Sequence, residues 1–148
     1  MATKNKPTTK PTTLTMRYEQ VLVAHKALMV LAQMNLPRDT AMHIRRLVRV
    51  VGPPAEDAQE ERRKLLRLHA QLDERGQVVA DEHDQVQFES EEKRSAYEEA
   101  HRELMELEAE LEVVQLRASS LPAEGLRAAL LIALDDLLLD DLLLDDLG

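Results

Sequence analysis

The fold turns on residues Ala55–Leu116, AEDAQEERRKLLRLHAQLDERGQVVADEHDQVQFESEEKRSAYEEAHRELMELEAELEVVQL. Its opening reads as a helix over about Glu56–Leu72. Acidic residues (Glu56, Asp57, Glu60, Glu61) fill the first turns, and Arg62, Arg63, Lys64 and Arg67 follow, an order that complements the helix dipole. Gly76 is the predicted stop. Gln77–Ala80 and Gln85–Phe88, flanking the turn Asp81–Asp84, read as the two strands of a short hairpin. Ser90 is the predicted N-cap of a second helix, about Glu91–Leu111. Two strands alone are marginal, so Glu112–Leu116 is expected to supply a third. The expected class is therefore α+β: mostly helical, with a small antiparallel sheet (hairpin plus one strand) and a Leu/Asp-rich C-terminal helix.

Upstream, Met1–Thr13 is Thr, Pro and Lys with almost nothing to bury, so residues 1–15 are expected to be a flexible basic arm. Thr15 is the predicted cap of a first helix, about Met16–Met34, whose Val21, Leu22, Ala24, Leu28, Leu31 and Ala32 face the core. Asn35-Leu36-Pro37 breaks it. A second helix follows over about Arg38–Val51, with Ala41, Ile44, Leu47, Val48 and Val51 inward, and Gly52-Pro53-Pro54 is the predicted stop. These two helices should form an antiparallel hairpin.

Downstream, Ser119 or Ser120 is the predicted cap of a helix carrying Leu126, Leu130, Leu131 and Leu134. The one internal repeat read from the sequence is Asp-Asp-Leu-Leu-Leu at Asp135–Leu139 and Asp140–Leu144. Five residues turn a helix through about 500°, so no face of such a repeat stays apolar. Residues 135–148 are accordingly predicted to be a low-complexity tail, helical only to about Leu139, outside a single domain at 16–134.

The composition bounds the chemistry. A chain of 148 residues is one ordinary domain, long enough to bury roughly 70% of its unfolded surface. Aromatics are 2% (Tyr18, Phe88, Tyr97, no Trp), so the core must be aliphatic, and base-stacking recognition of single strands lacks its platforms. There is no Cys, which excludes disulfides, thiolate metal sites and Cys nucleophiles. Residues 1–54 carry nine basic and two acidic side chains (+7) and residues 55–148 carry ten and twenty-six (−16), which together make the net −9. Opposed halves of this kind pair within a chain or between subunits. No secretory leader or spanning segment is read, and a cytoplasmic or virion location is expected.

The element order resembles that of a family of small uncharacterised proteins from tailed phages and prophages. Leu14-Thr15, Leu36-Pro37, Arg63-Lys64-Leu65, Asp73 with Gly76, Phe88, Leu104 and Val113-Val114-Gln115-Leu116 carry the likeness, which covers about Leu14–Leu134. The chain departs from the pattern at Gly52-Pro53-Pro54, where the resemblance implies an unbroken helix, and in its Asp/Leu tail. The likeness implies phage origin and a non-catalytic role.

No residue set argues for catalysis. The five histidines (His25, His43, His69, His83, His101) include no i,i+4 pair suited to a metal. His83, among Asp81, Glu82 and Asp84, lacks the oxygen spacing of a calcium loop and reads as a polar turn. The carboxylates of Glu89–Glu112 crowd an exposed face without the burial that shifts an acid–base pair. No metal, cofactor or enzymatic activity is expected.

Arg38, Arg45, Arg46 and Arg49 form a possible interaction face. The apolar Ile44, Leu47, Val48 and Val51 beside them argue against sequence-specific DNA readout, so nucleic acid is an unexpected partner and no membrane partner is expected. Tyr97, Leu104, Leu107 and Leu111 make a heptad-like seam for self-association, so a homo-oligomer is expected. The leading functional expectation is a phage accessory protein acting through protein–protein contacts in virion structure or assembly. The alternative is a small acidic inhibitor, or antitoxin-like protein, that blocks a basic nucleic-acid-binding partner.

Overall fold

The computed structural model describes residues 11–117, 120–121 and 134–139. The order of elements is strand β1 (Thr12–Arg17), helix α1 (Tyr18–Ala32), helix α2 (Arg38–His69), helix α3 (Glu91–Glu106), strand β2 (Glu108–Val113), strand β3 (Leu116–Arg117), a 3₁₀ turn at Asp135–Leu137 and strand β4 (Leu138–Leu139). The mostly helical α+β class expected from the sequence is what the chain adopts.

The sheet is built from other segments than the expected ones. β1 pairs antiparallel with β2, Thr12 opposite Val113 through Arg17 opposite Glu108. Period-two alternation explains the pairing: Leu14, Met16, Leu111 and Val113 turn inward, while Thr13, Thr15, Arg17 and the three glutamates of β2 turn out. The flexible-arm boundary at residue 15 is therefore corrected, since Thr12–Thr15 are strand, and residues 1–10 lie outside the described residues. Thr15 is no cap, because α1 begins at Tyr18, where the Arg17 N–H donates to Gln20 Oε1 at 2.9 Å.

Helix α2 overrides the predicted break. It runs unbroken for 32 residues through Gly52-Pro53-Pro54, where the sequence predicted two separate helices. The two prolines remove two ladder donors and clash with the preceding turn, each at a cost of about 3 kcal/mol. Burial outweighs them: Thr40, Ile44, Leu47, Val51, Ala55 and Ala58 form one stripe at three- and four-residue spacing that crosses the proline pair without a phase change. The stripe packs on α1, whose Val21, Ala24, Ala27, Leu28 and Leu31 are buried against it.

The core joins this helix pair to the inner face of the β1–β2 sheet and to Leu116, Leu121, Leu134 and Leu137. The tail boundary at Leu134 is thereby overturned. Leu137 is 0% exposed, and Leu138 and Leu139 pair in parallel with Leu116 and Arg117 instead of extending a helix. The 3₁₀ turn explains how, since it points Leu137 inward and leaves Asp135 and Asp136 in solvent. The rest of the predicted C-terminal helix lies outside the described residues.

Candidate interaction surface

Between Ala55 and Leu111 no side chain joins the main core. This segment is a two-helix arm: the second half of α2, α3 packed back along it and touching α1, and a tip made by residues 70–90. α3 starts at its predicted cap, where Ser90 Oγ accepts from the Lys93 N–H at 3.2 Å, but it stops at Glu106 and not at Leu111.

The tip is two copies of one turn, a repeat that the sequence reading missed. Asp73-Glu74-Arg75-Gly76-Gln77-Val78 and Asp81-Glu82-His83-Asp84-Gln85-Val86 are eight residues apart and identical at four of six positions. In each copy the Asp carboxylate accepts two backbone N–H groups: Asp73 from Arg75 and Gln77, Asp81 from His83 and Gln85, all at 2.8–2.9 Å. The fourth residue of each copy is left-handed, Gly76 at φ 78° and Asp84 at φ 60°. Gly76 is thus a turn residue, not a helix stop, and the helix before it has already ended at His69.

The expected hairpin is replaced by a ring. The Val79 N–H donates to Gln71 O, the Gln87 N–H to Val79 O and the Gln71 N–H to Gln87 O, each at 2.9 Å, so the three positions close on one another at intervals of eight. With the bridges Leu72–Val78 and Ala80–Val86, this satisfies the backbone of a segment too short for a sheet of its own.

An aromatic brace locks the tip to the helices. Phe88 lies 5.5 Å from the Tyr97 ring, Tyr97 stacks on His101 at 5.5 Å, His69 meets Tyr97 edge-on at 6.4 Å, and the Arg94 guanidinium sits 5.5 Å over Phe88. All four rings are half-buried. Burial, and the nearby Arg62 charge, hold the His101 pKa below its ordinary value, while Glu19 of α1 opposes the shift.

Apolar residues remain in water at the arm's end. Leu68 is 73% exposed and Leu72 40%, one helical turn apart in sequence. Beside them a cleft of about 200 Å³ is lined by Arg63, Leu66, Arg67, Gly76, Gln77 and Val78. The arm's helices carry exposed i,i+3 and i,i+4 ion pairs (Glu60–Arg63, Glu61–Lys64, Glu89–Lys93, Glu99–Arg102), which add little stability.

The predicted self-association seam is not one surface. Tyr97 belongs to the brace and Leu104 is buried in the arm, whereas Leu107 lies beyond the helix, 53% exposed, and Leu111 is in β2 within the main core. Helical spacing placed them together; the helix end at Glu106 separates them, because period-two burial takes over from Glu108.

The predicted basic face is a surface. Arg38, Arg45, Arg46 and Arg49 are all exposed on the first half of α2, and none has an ion-pair partner among the described residues. Arg38, Met42, Arg45 and Arg49 share one helix face, with Met42 42% exposed in its midst. Around the flank, His43 Nε2 donates to Val114 O at 2.6 Å, which fixes its tautomer and ties α2 to the chain leaving β2. A cleft of about 370 Å³ opens there between His43, Arg46, Val50 and Glu112.

At the turn holding His83, Asp81 Oδ1 is already taken by two amides, and no three His, Asp or Glu converge among the described residues. No described helix is long and apolar enough to cross a membrane. No family model matches the chain, and no curated protein or solved structure matches it either.

Proposed function

We propose that the protein is a non-enzymatic binding protein that works through protein–protein contacts, with the two-helix arm as its contact element. The exposure of Leu68 and Leu72 at the tip of an arm that adds nothing to the main core carries this reading. A monomer gains nothing from leaving such side chains in water, at about 25 cal/mol per Å² of apolar area, so exposure at a braced, salt-bridged tip fits a surface kept for a partner. The resemblance to phage proteins directs the reading to a role in virion structure or assembly.

A photo-crosslinking residue at position 68 in the native host tests it. A covalent adduct to a second protein, absent when the same residue stands at Val23 on the body, supports the arm as contact element. Adducts at Val23 alone would overturn it. The double variant Leu68→Ser, Leu72→Ser should lose the adduct formed from a label at Leu66 while keeping its thermal midpoint.

One observation favours the acidic-inhibitor reading. Glu108, Glu110 and Glu112 stand in a row on the outer face of β2, opposite only Thr15, Thr13 and Arg17, and residues 56–106 carry eight basic against sixteen acidic side chains, net −8. Adduct formation that collapses at high salt would point to this row, since apolar tip contacts are not screened.

A further inference from the structure

Two exposed faces of the body carry opposite charge. On α2, Arg38, Met42, Arg45 and Arg49 lie about 160° round the helix from the buried stripe of Thr40, Ile44, Leu47 and Val51. On the outer face of the sheet, Glu108, Glu110 and Glu112 of β2 stand beside Thr13 and Thr15 of β1, and all five are exposed. None of these arginines and glutamates has an ion-pair partner among the described residues.

The faces match in length as well as in sign. Arg38 and Arg49 span about 16 Å of helix, and Glu108 and Glu112 about 14 Å of strand. Arg45 and Arg49 are one turn apart, about 6 Å along the axis, and successive glutamates are about 7 Å apart. Met42, 42% exposed amid the arginines, has the methyl groups of Thr13 and Thr15 as its counterpart on the sheet. Both faces point away from the core that α1, α2 and the inner side of the sheet enclose, so they do not meet within one chain.

We propose that the arginine face of α2 docks on the glutamate row of β2 in a second copy of the chain. A polyanion would satisfy the arginines alone and a basic protein the glutamates alone, whereas a second copy satisfies both kinds of face. The contact is heterologous, so each copy keeps one face of each sign for the next, and assembly runs to a ring or a filament. It uses the body and does not depend on the reading of the arm.

Each copy carries a net charge of −9, and whole-molecule repulsion opposes the contact at very low salt. At about 0.1 M the screening length is about 10 Å, which damps that repulsion and spares charges in contact; at about 1 M it is about 3 Å and the contact weakens too. Sedimentation equilibrium of the full chain at submillimolar concentration should therefore give a mass above 16.8 kDa near ~0.1 M salt and 16.8 kDa near ~1 M. Arg38→Glu, Arg45→Glu and Arg49→Glu together, or Glu108→Lys, Glu110→Lys and Glu112→Lys together, should each give a monomer. An equimolar mixture of the two variants should associate again, because each reversed face then meets its complement on the other variant. Gln at the same positions should lower the mass in either set and serves where a reversed set does not fold. Leu68→Ser with Leu72→Ser should leave the mass unchanged. A monomer at every salt concentration would overturn the proposal, as would association that survives both sets, a mixture that stays monomeric, or loss of association in the Leu68, Leu72 variant.

Discussion

Phe88 shows how one side chain carries more than its burial. The only Phe of the chain, it follows an alternating Val86-Gln87, as a core-facing strand residue would, yet it is half-buried in the arm's brace, against Tyr97 and beneath Arg94. Phe88→Ala should therefore cost about 2 kcal/mol, roughly half of a fully buried truncation. Urea melts of the full chain check this, and a loss of only a few tenths would detach Phe88 from the tip's stability. His101 adds a pH dependence. Its folded pKa lies below the ordinary 6.5, so the unfolded chain takes up the proton first as pH falls. The neutral imidazole's contribution is thus complete above pH 6.5 and lost as pH drops through the folded pKa. Between about pH 7.5 and 5, His101→Gln should flatten the decline in urea midpoint relative to wild type.

Among the elements, α2 and the tip depart most from local rules. Gly52-Pro53-Pro54 is a strong helix stop by propensity, but the buried stripe on either side is in phase across it. A Cβ on Gly52 would meet only His25 Nε2, at 3.9 Å, an ordinary contact. Gly52→Ala should then stabilise the protein by about 0.5–1 kcal/mol, the helix-propensity difference. A thermal midpoint that falls instead would mean that the proline segment needs glycine's freedom. The tip's turns were partly legible. Asp, Gly and Gln-Val signalled turn and strand, but pairing them as one hairpin missed the eight-residue repeat that comparing Asp73–Val78 with Asp81–Val86 reveals.

At the scale of the whole molecule, the described parts are a body of two helices on a two-stranded sheet and an arm that leaves it at Ala55. The body is closed by residues far along the chain, above all Leu137. Leu137→Ala should cost about 2–5 kcal/mol, whereas Asp136→Ala beside it, exposed, should stay within about 0.5 kcal/mol. Equal, small effects in thermal melts would return Asp135–Leu139 to the status of a tail.

By itself, the sequence determined the class, the cap at Ser90, most of the inward faces of α1 and α2 (Ala32, expected inward, is exposed) and the basic row Arg38–Arg49, because each is written in local periodicity or capping chemistry. It also determined what the chain lacks, down to the absence of cysteine. Only the tertiary structure decided which strands pair: Thr12–Arg17 and Glu108–Val113 meet across separations of 91 to 101 residues, and their short alternating patterns compete locally with helix. The fate of Leu104, Leu107 and Leu111 was likewise tertiary, since helical spacing joins them and the start of β2 parts them. The same holds for the Gly-Pro-Pro crossing and for Leu137, where burial against distant residues outweighs a local preference of a few kcal/mol.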